Sequence, residues 1–132
     1  MINDYTGKLK NWFKVKLNIG SQEKYILFSE REIWWCSIGI NVGEEQNGKN
    51  DLFNRPVLIF RKLTRNSFIG FPLTSKDKIG SWYAPITLQG KTSNVLIHQV
   101  RIWDKRRLTN KIGQLDWNDF MEVKRRFIKF IS

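Results

Sequence analysis

The stretch PVLIFRKLTRNSFIGFPLT, residues 56–74, decides the fold of this chain. Residues 56–62 and 67–74 are short runs rich in aliphatic and phenylalanine side chains, and a polar cluster separates them, which predicts two strands joined by a turn. Runs of the same kind predict three further strands, at residues 32–38, 82–88 and 94–101. Because no segment between these runs is long enough for a crossover helix, we expect a small, strongly bent antiparallel sheet or barrel.

Helical periodicity flanks the predicted sheet on both sides. In residues 4–17 the apolar side chains recur at intervals of three and four, as on one face of an amphipathic helix: Tyr5, Leu9, Trp12, Phe13 and Leu17. Gly20 is expected to end this helix. A second helix is predicted over residues 116–131, with Asp116 as its N-cap.

Length and composition limit the class of protein. The chain has 132 residues, of which 41% are hydrophobic and 14% aromatic, so it can fill one core and is not intrinsically disordered. We expect an N-terminal helical extension over residues 1–30 and one α+β domain over residues 31–132. The longest apolar stretch, residues 33–40, is too short to span a bilayer, and no signal-peptide pattern is visible, so a cytoplasmic protein is expected.

Charge is the first indication of a partner. The chain has 23 Lys and Arg against 12 Asp and Glu, a formal net charge of +11 that is heaviest over residues 101–132. A polyanion such as RNA is the natural partner for this surface, although a charge that only confers solubility is the alternative. One cysteine, Cys36, and one histidine, His98, cannot build a Cys/His zinc site, and the acids are scattered. No metal or other cofactor is therefore expected.

Two candidate sites lie where predicted strands begin and end. Arg55 precedes Pro56, so its backbone is extended, and its guanidinium at the mouth of the sheet can grip a phosphate; a plain surface arginine is the alternative. Thr74 ends a predicted strand beside Ser75 and Lys76, which offers two hydroxyls and a cation. The same composition is also ordinary for a turn.

His98 and several aromatic residues are further candidates. His98 is a general acid or base on chemical grounds. Strand alternation instead groups it with Leu96 and Val100, as a hydrogen-bonded core histidine. Exposed aromatic rings can stack RNA bases if they frame a groove, and the candidates for this are Trp34, Trp35, Trp82 and Tyr83.

Six segments, in this order, resemble the MazF/PemK toxins of type II toxin–antitoxin systems over residues 31–131. They are Glu32-Ile33-Trp34-Trp35, Gly43-Glu44-Glu45-Gln46, Arg55-Pro56-Val57-Leu58-Ile59, Pro72-Leu73-Thr74-Ser75, Val95-Leu96-Ile97-His98-Gln99-Val100-Arg101 and Asp104-Lys105-Arg106-Arg107-Leu108. The resemblance implies an SH3-like barrel with helices at its ends, a homodimer, and a metal-independent endoribonuclease that cuts single-stranded messenger RNA. It also implies a cognate antitoxin whose acidic, partly disordered tail blocks the RNA groove.

Carried over residue by residue, the resemblance implies catalytic roles for Arg55, Thr74 and Glu45. It also implies that the loop over residues 39–54 gates the RNA groove. His98 stands where PemK-like members have an acid proposed as catalytic, which makes it a second candidate for proton transfer. RNA contacts are expected from residues near these positions, namely Gln46, Lys49, Ser75, Lys76, Gln99 and Arg101.

Two features depart from the family pattern. The stretch 47–54 is longer than the usual join, and the helix predicted over residues 4–17 lies outside the minimal family core. Because His98 replaces an acid, a non-catalytic SH3-like module that binds RNA or a protein is the alternative function. Gyrase poisoning, known for the related CcdB fold, is disfavoured by the Arg-Pro and Thr-Ser elements.

Overall fold

The computed structural model describes residues 4–21, 25–39 and 53–132. In chain order the elements are α1 (Asp4–Ser21), β1 (Glu32–Ser37), β2 (Asn54–Thr64), β3 (Ser67–Thr74), β4 (Tyr83–Leu88), β5 (Lys91–Leu96), a 3-10 turn (Ile97–Gln99), β6 (Arg101–Asp104), a second 3-10 turn (Lys105–Arg107), β7 (Leu108–Gln114) and α2 (Trp117–Ile131). The predicted α+β class, with an antiparallel sheet and one helix at each end, is confirmed.

Seven antiparallel strands form the sheet in the described part of the chain. Their order is β4-β5-β3-β2-β1-β7, and β6 pairs with the first half of β3, beside β5 on the same edge. The pairing path is open rather than closed into a barrel. Where β4 and β7 approach each other, the contact is made by side chains, such as the bond from Gln89 Nε2 to the Ile112 carbonyl at 3.2 Å.

The predicted strand over residues 94–101 is two strands. The 3-10 turn Ile97–Gln99 interrupts it, so that β5 pairs with β4 and β6 with β3. Strand β7 was absent from the prediction because its sequence, LTNKIGQ, has few apolar residues. Its pairing with β1 is a tertiary effect that overrides this weak local preference.

Two apolar cores lie on opposite faces of the central strands. On β3, Phe71 and Leu73 belong to the first core, and Phe68 belongs to the second, as alternation predicts. Helix α2 covers the first core with Phe120, Val123 and Phe127. Because β3 and the first half of β2 are buried on both faces, their sequences read as nearly continuous apolar runs.

Helix α2 begins as its sequence predicts, with Asp116 as its N-cap. The Asp116 carboxylate accepts hydrogen bonds from the backbone N–H groups of Asn118 and Asp119, at 3.0 and 3.4 Å. Asp119 in turn accepts from the Thr87 N–H of β4 at 3.1 Å. The helix is therefore fixed against the edge strand of the sheet.

Helix α1 is longer than predicted, and most of its apolar residues do not face a core. It continues through Gly20 to Ser21. Trp12 is buried, at 6% exposure, but the other residues of the predicted apolar face are exposed: Tyr5, Leu9, Phe13 and Leu17. The Trp12 ring packs on Gly39, where any side chain would overlap it, and edge-on against Phe53 with ring centroids 5.5 Å apart. Among the described residues no helix is long and apolar enough to cross a membrane.

Candidate functional site

Arg55 is the second residue of β2, and it is buried, at 8% exposure. It lies opposite Cys36 of β1. On the other side, the pairing of β2 with β3 ends at Val57 and Pro72, and Arg55 and Thr74 each lie two residues beyond that pair on their own strands. Because Arg55 is buried, the alternative of a plain surface arginine is wrong.

The Arg55 guanidinium reaches the end of β3, where its Nη1 donates to the Leu73 carbonyl at 3.4 Å. Burial lowers the pKa of Arg55 from its ordinary value. A guanidinium nevertheless stays protonated at neutral pH in proteins. The face at this end of the sheet thus carries a fixed, partly desolvated positive charge, which is the environment in which a cation binds an anion most strongly.

Thr74 ends β3 and is also buried, at 6% exposure. Its Oγ1 accepts a hydrogen bond from the Lys76 N–H at 3.3 Å, a local turn that threonine hydroxyls favour. Asn94, which pairs with Thr74 across β3 and β5, donates from Nδ2 to the Lys76 carbonyl at 2.9 Å. The bond to Thr74 uses one lone pair of the hydroxyl oxygen and not its proton. A well-fixed hydroxyl donor therefore stands in the strand opposite Arg55.

A half-buried arginine, Arg107, also supports this end of β1 and β2, and sequence reasoning did not single it out. Arg107 Nη1 donates to the Ser37 carbonyl at 3.1 Å, and Ser37 Oγ donates to Asn54 Oδ1 at 2.8 Å. Burial lowers the pKa of Arg107. Its guanidinium lies over the rings of Trp12 and Trp103, at 5.7 and 5.9 Å from their centroids. Arg107 appeared only within a basic run, and nothing in that run marks it as the residue that contacts β1.

Of the residues predicted to bind RNA, Ser75 and Lys76 lie exposed on the turn after Thr74. Arg101 lies beside β3 four residues before Thr74, because it pairs with Gly70 whereas Thr74 pairs with Asn94. Gln99 is the last residue of the 3-10 turn between Asn94 and Arg101. The Arg101 guanidinium is 4.4 Å from the Trp103 ring centroid. Three predicted site residues, Glu45, Gln46 and Lys49, lie outside the described residues, as does most of the predicted loop over residues 39–54.

His98 is not in the strand that alternation assumed. It lies in the 3-10 turn Ile97–Gln99, half-buried, with its ring 5.2 Å from that of Trp82 and edge-on to Tyr83. Its Nδ1 is buried and has no hydrogen-bond partner among the described residues, so the expected hydrogen-bonded core histidine is wrong in that detail. The structure thus groups His98 with Trp82 and not with the turn after Thr74.

The four candidate stacking aromatics differ in accessibility. Trp34 is buried in the second core, whereas Trp35 and Tyr83 are half-buried. Trp82 is 51% exposed. Trp82 is therefore the one of these four whose ring is most available to a ligand.

The fold and this site define a class: a small, basic, antiparallel-sheet protein with a buried arginine and a buried threonine near the ends of two neighbouring strands. A family model described as the PemK-like, MazF-like toxin of type II toxin–antitoxin systems matches residues 29–131. The chain belongs to this family, and it is a toxin of that type.

Solved structures with a similar fold include toxins of the same family. MazF from Deinococcus radiodurans has a TM-score of 0.66 at 19% identity, over 82% of this chain and 98% of that one. A mycobacterial endoribonuclease in complex with its cognate antitoxin has a TM-score of 0.61 at 12% identity, over 77% and 92% of the two chains. The toxin MazF-mt6 from Mycobacterium tuberculosis has a TM-score of 0.59 at 15% identity, over 76% and 96%. No curated protein sequence matches the chain significantly.

Proposed function

We propose that this toxin is a metal-independent endoribonuclease that cuts single-stranded messenger RNA by transesterification. The ribose 2′-hydroxyl attacks the adjacent phosphorus, the bond to the 5′-oxygen of the next nucleotide breaks, and the products carry a 2′,3′-cyclic phosphate and a 5′-hydroxyl. The observation that supports this most is the buried Arg55 guanidinium, which donates to the Leu73 carbonyl beside the buried Thr74, on a chain of net charge +11. Because RNA supplies its own nucleophile, the protein needs only to orient the strand, move protons and stabilise charge.

Arg55 is proposed to stabilise the phosphorane. Negative charge accumulates on the non-bridging phosphate oxygens as the 2′-oxygen approaches. A planar guanidinium binds two such oxygens at once, and it does so more strongly where water is partly excluded. The burial of Arg55 supports this role.

Thr74 is proposed to hold the scissile phosphate through its hydroxyl proton. The Lys76 N–H and the Asn94 amide fix the turn that follows it, so the hydroxyl is oriented before RNA binds. Lys76 and Ser75 are proposed to contact the adjoining backbone, and Gln99 and Arg101 to contact RNA further along the same edge of β3.

Proton transfer is proposed for Glu45, on the family resemblance alone, with His98 as the second candidate. The contacts of His98 with Trp82 and Tyr83 favour Glu45 over it. Gln46 and Lys49 are proposed RNA contacts on the same ground as Glu45.

A cognate acidic antitoxin and a second copy of the toxin are the proposed protein partners. The similar structures include an endoribonuclease with its cognate antitoxin and MazE–MazF complexes from Deinococcus radiodurans. A net charge of +11 suits an acidic inhibitor that competes with RNA. The division into an extension over residues 1–30 and a toxin domain over residues 31–132 is proposed as well.

The test is incubation of the purified protein with a mixed single-stranded RNA in EDTA, followed by analysis of the fragment ends. Discrete fragments with cyclic phosphate ends are expected, and DNA of the same sequence should stay intact. Arg55→Ala should abolish cutting, whereas Arg61→Ala, on the exposed part of the same strand, should not. RNA that is bound but intact would contradict the proposal and favour the non-catalytic module.

A further inference from the structure

A cavity that does not include Arg55 lies between the residues that precede β4 and the last turns of α2. Its volume is about 610 Å³, within the range of roughly 300–1,000 Å³ typical of small-molecule sites. One wall is formed by Ser81 and Trp82, and the other by Arg125, Arg126, Lys129 and Phe130.

The α2 wall of this cavity is strongly cationic. Arg125 and Arg126 share one carboxylate, that of Glu122, with closest contacts of 2.6 and 2.7 Å. Arg126 is further held by its donation from Nη1 to the Tyr83 carbonyl at 2.6 Å. Lys129 has no ion pair within the described ranges. Three cations thus face one carboxylate, which leaves the wall with an excess of two positive charges.

The facing wall presents an aromatic platform that is held in place. Trp82 lies against the His98 ring at an interplanar angle of 31°, and Tyr83 packs edge-on against the same imidazole. The Trp82 carbonyl also accepts from the Ile97 N–H at 2.8 Å. Despite these contacts the indole is half exposed, and Phe130 across the cavity is 40% exposed. Two accessible rings beside three cations are the combination that single-stranded nucleic acids recognise, by base stacking and phosphate pairing.

Residues 75–82 connect this cavity to Thr74 and the turn that follows it. Residues 75–82 leave the sheet at Thr74 and re-enter it through Trp82, and the exposed residues of this segment include Ser75 and Lys76. Residues 75–82 are all exposed, so the segment that joins Thr74 to Trp82 is open to contact with an RNA strand.

We propose that the cavity is a second nucleotide subsite, which binds a base and phosphate of the RNA strand beyond the scissile step. The base stacks on Trp82, and the phosphate lies against Lys129 and the guanidinium groups of Arg125 and Arg126. An acidic peptide can form ion pairs with these cations equally well, but it has no flat bases to stack on the Trp82 indole and therefore gains less binding free energy from it. This subsite rests on the proposed RNA-cutting function for its role, but its binding can be measured without cutting.

The binding test uses a labelled single-stranded DNA oligonucleotide, which has no 2′-hydroxyl and cannot be cut by this route, and measures fluorescence anisotropy. Trp82→Leu and Lys129→Ala should each weaken binding by about fivefold or more, the lower end expected for one stacked base or one charged contact. The matched controls are Trp117→Leu and Lys124→Ala, which change an exposed tryptophan and an exposed lysine of α2 outside the cavity, and they should bind as the wild type does. Thermal melting verifies that each variant is folded.

Equal losses for Lys124→Ala and Lys129→Ala, with no loss for Trp82→Leu, would overturn the subsite and leave only general charge attraction. Polyglutamate that binds to the wild type, together with a Trp82→Leu variant that binds the oligonucleotide as tightly as the wild type does, would also overturn it in favour of an acidic peptide.

A cutting assay separates this proposal from the catalytic one. It compares the shortest RNA that the wild type cuts with the same RNA extended on both sides. Trp82→Leu should raise KM for the extended RNA and leave the short RNA unaffected, because only the longer strand reaches the cavity. Equal KM values for wild type and variant on the extended RNA would refute the subsite. If the wild type cuts neither RNA but binds DNA through Trp82 and Lys129, the catalytic proposal fails and the subsite stands.

Discussion

At the scale of single residues, a substitution of Arg55 can separate the effect of guanidinium geometry on the rate of cutting from the effect of positive charge alone. Arg55→Lys keeps the positive charge but loses the planar pair of donors. We expect kcat to fall by about 10²- to 10³-fold, the usual cost of removing one donor that stabilises an oxyanion. Single-turnover cutting of a defined RNA measures this effect, with Arg61→Lys as the control on the same strand. A decrease of less than tenfold would contradict a bidentate role for Arg55.

Thr74 gives a complementary prediction, because valine has nearly the same shape but no hydroxyl. Thr74→Val should lower kcat/KM by about 10- to 100-fold, as expected for loss of a hydrogen bond to a charged group. Thr74→Ser keeps the hydroxyl and should restore most of the rate. If Thr74→Val and Thr74→Ser are equally active, the hydroxyl does not contact the phosphate.

The sequence could predict these two residues as strand-end candidates, but not their burial or their register. The Arg-Pro pair specifies an extended backbone at position 55, whereas its burial depends on β1 and β3 packing on either side of it. Asn94 and Arg107 support the site from elements distant in sequence, and their composition gives no sign of this. His98 was misjudged for the same kind of reason, because a 3-10 turn breaks the period of two on which alternation depends.

At the scale of elements, the packing of α1 centres on one buried side chain, that of Trp12. Trp12 is its buried anchor against Gly39 and Phe53, so Trp12→Ala should lower the free energy of unfolding by about 3 kcal/mol, near the lower limit for a buried tryptophan. Phe13→Ala, next to it and exposed, should change the free energy by less than about 0.5 kcal/mol. Urea titration measures both values. Equal effects would show that α1 packs elsewhere in solution.

The helical period of residues 4–17 was visible in the sequence, but the face that packs was not. Four apolar residues at intervals of four predict one face of an amphipathic helix, yet in the described part of the chain α1 is held by the buried Trp12 and by the bond from Arg106 to the Gly20 carbonyl, and that face stays exposed. Strand prediction was best for β2 and β3, which are central and apolar on both faces. It was poorest for β6 and β7, whose pairing with β3 and β1 compensates for weak local preference.

The Glu122 carboxylate of α2 should make part of the protein's stability depend on pH. Hydrogen bonds from Arg125 and Arg126 lower the pKa of Glu122 from its ordinary value to about 2. A carboxyl with a lowered folded-state pKa stabilises the fold fully above its unfolded pKa and loses that contribution as the pH falls through the folded value. Wild type should therefore lose stability relative to Glu122→Gln between about pH 5 and pH 2. Urea midpoints across this range measure the difference, which should be small and reduced by salt because the pair is exposed. Parallel profiles for the two proteins would contradict the assignment.

At the scale of the whole molecule, the net charge of +11 predicts how RNA affinity responds to salt. Each phosphate neutralised on a single strand contributes about −0.7 to the slope of log K against log salt, so contacts to about four phosphates predict a slope near −3 and about 50-fold weaker binding between 50 and 200 mM salt. Anisotropy with the uncut DNA oligonucleotide measures this slope, and Lys129→Ala should make it less negative by about 0.7. The thermal stability of the free protein should not fall over the same range, because salt also screens the repulsion among its own cations. Binding that is insensitive to salt would contradict a polyanion partner for this surface.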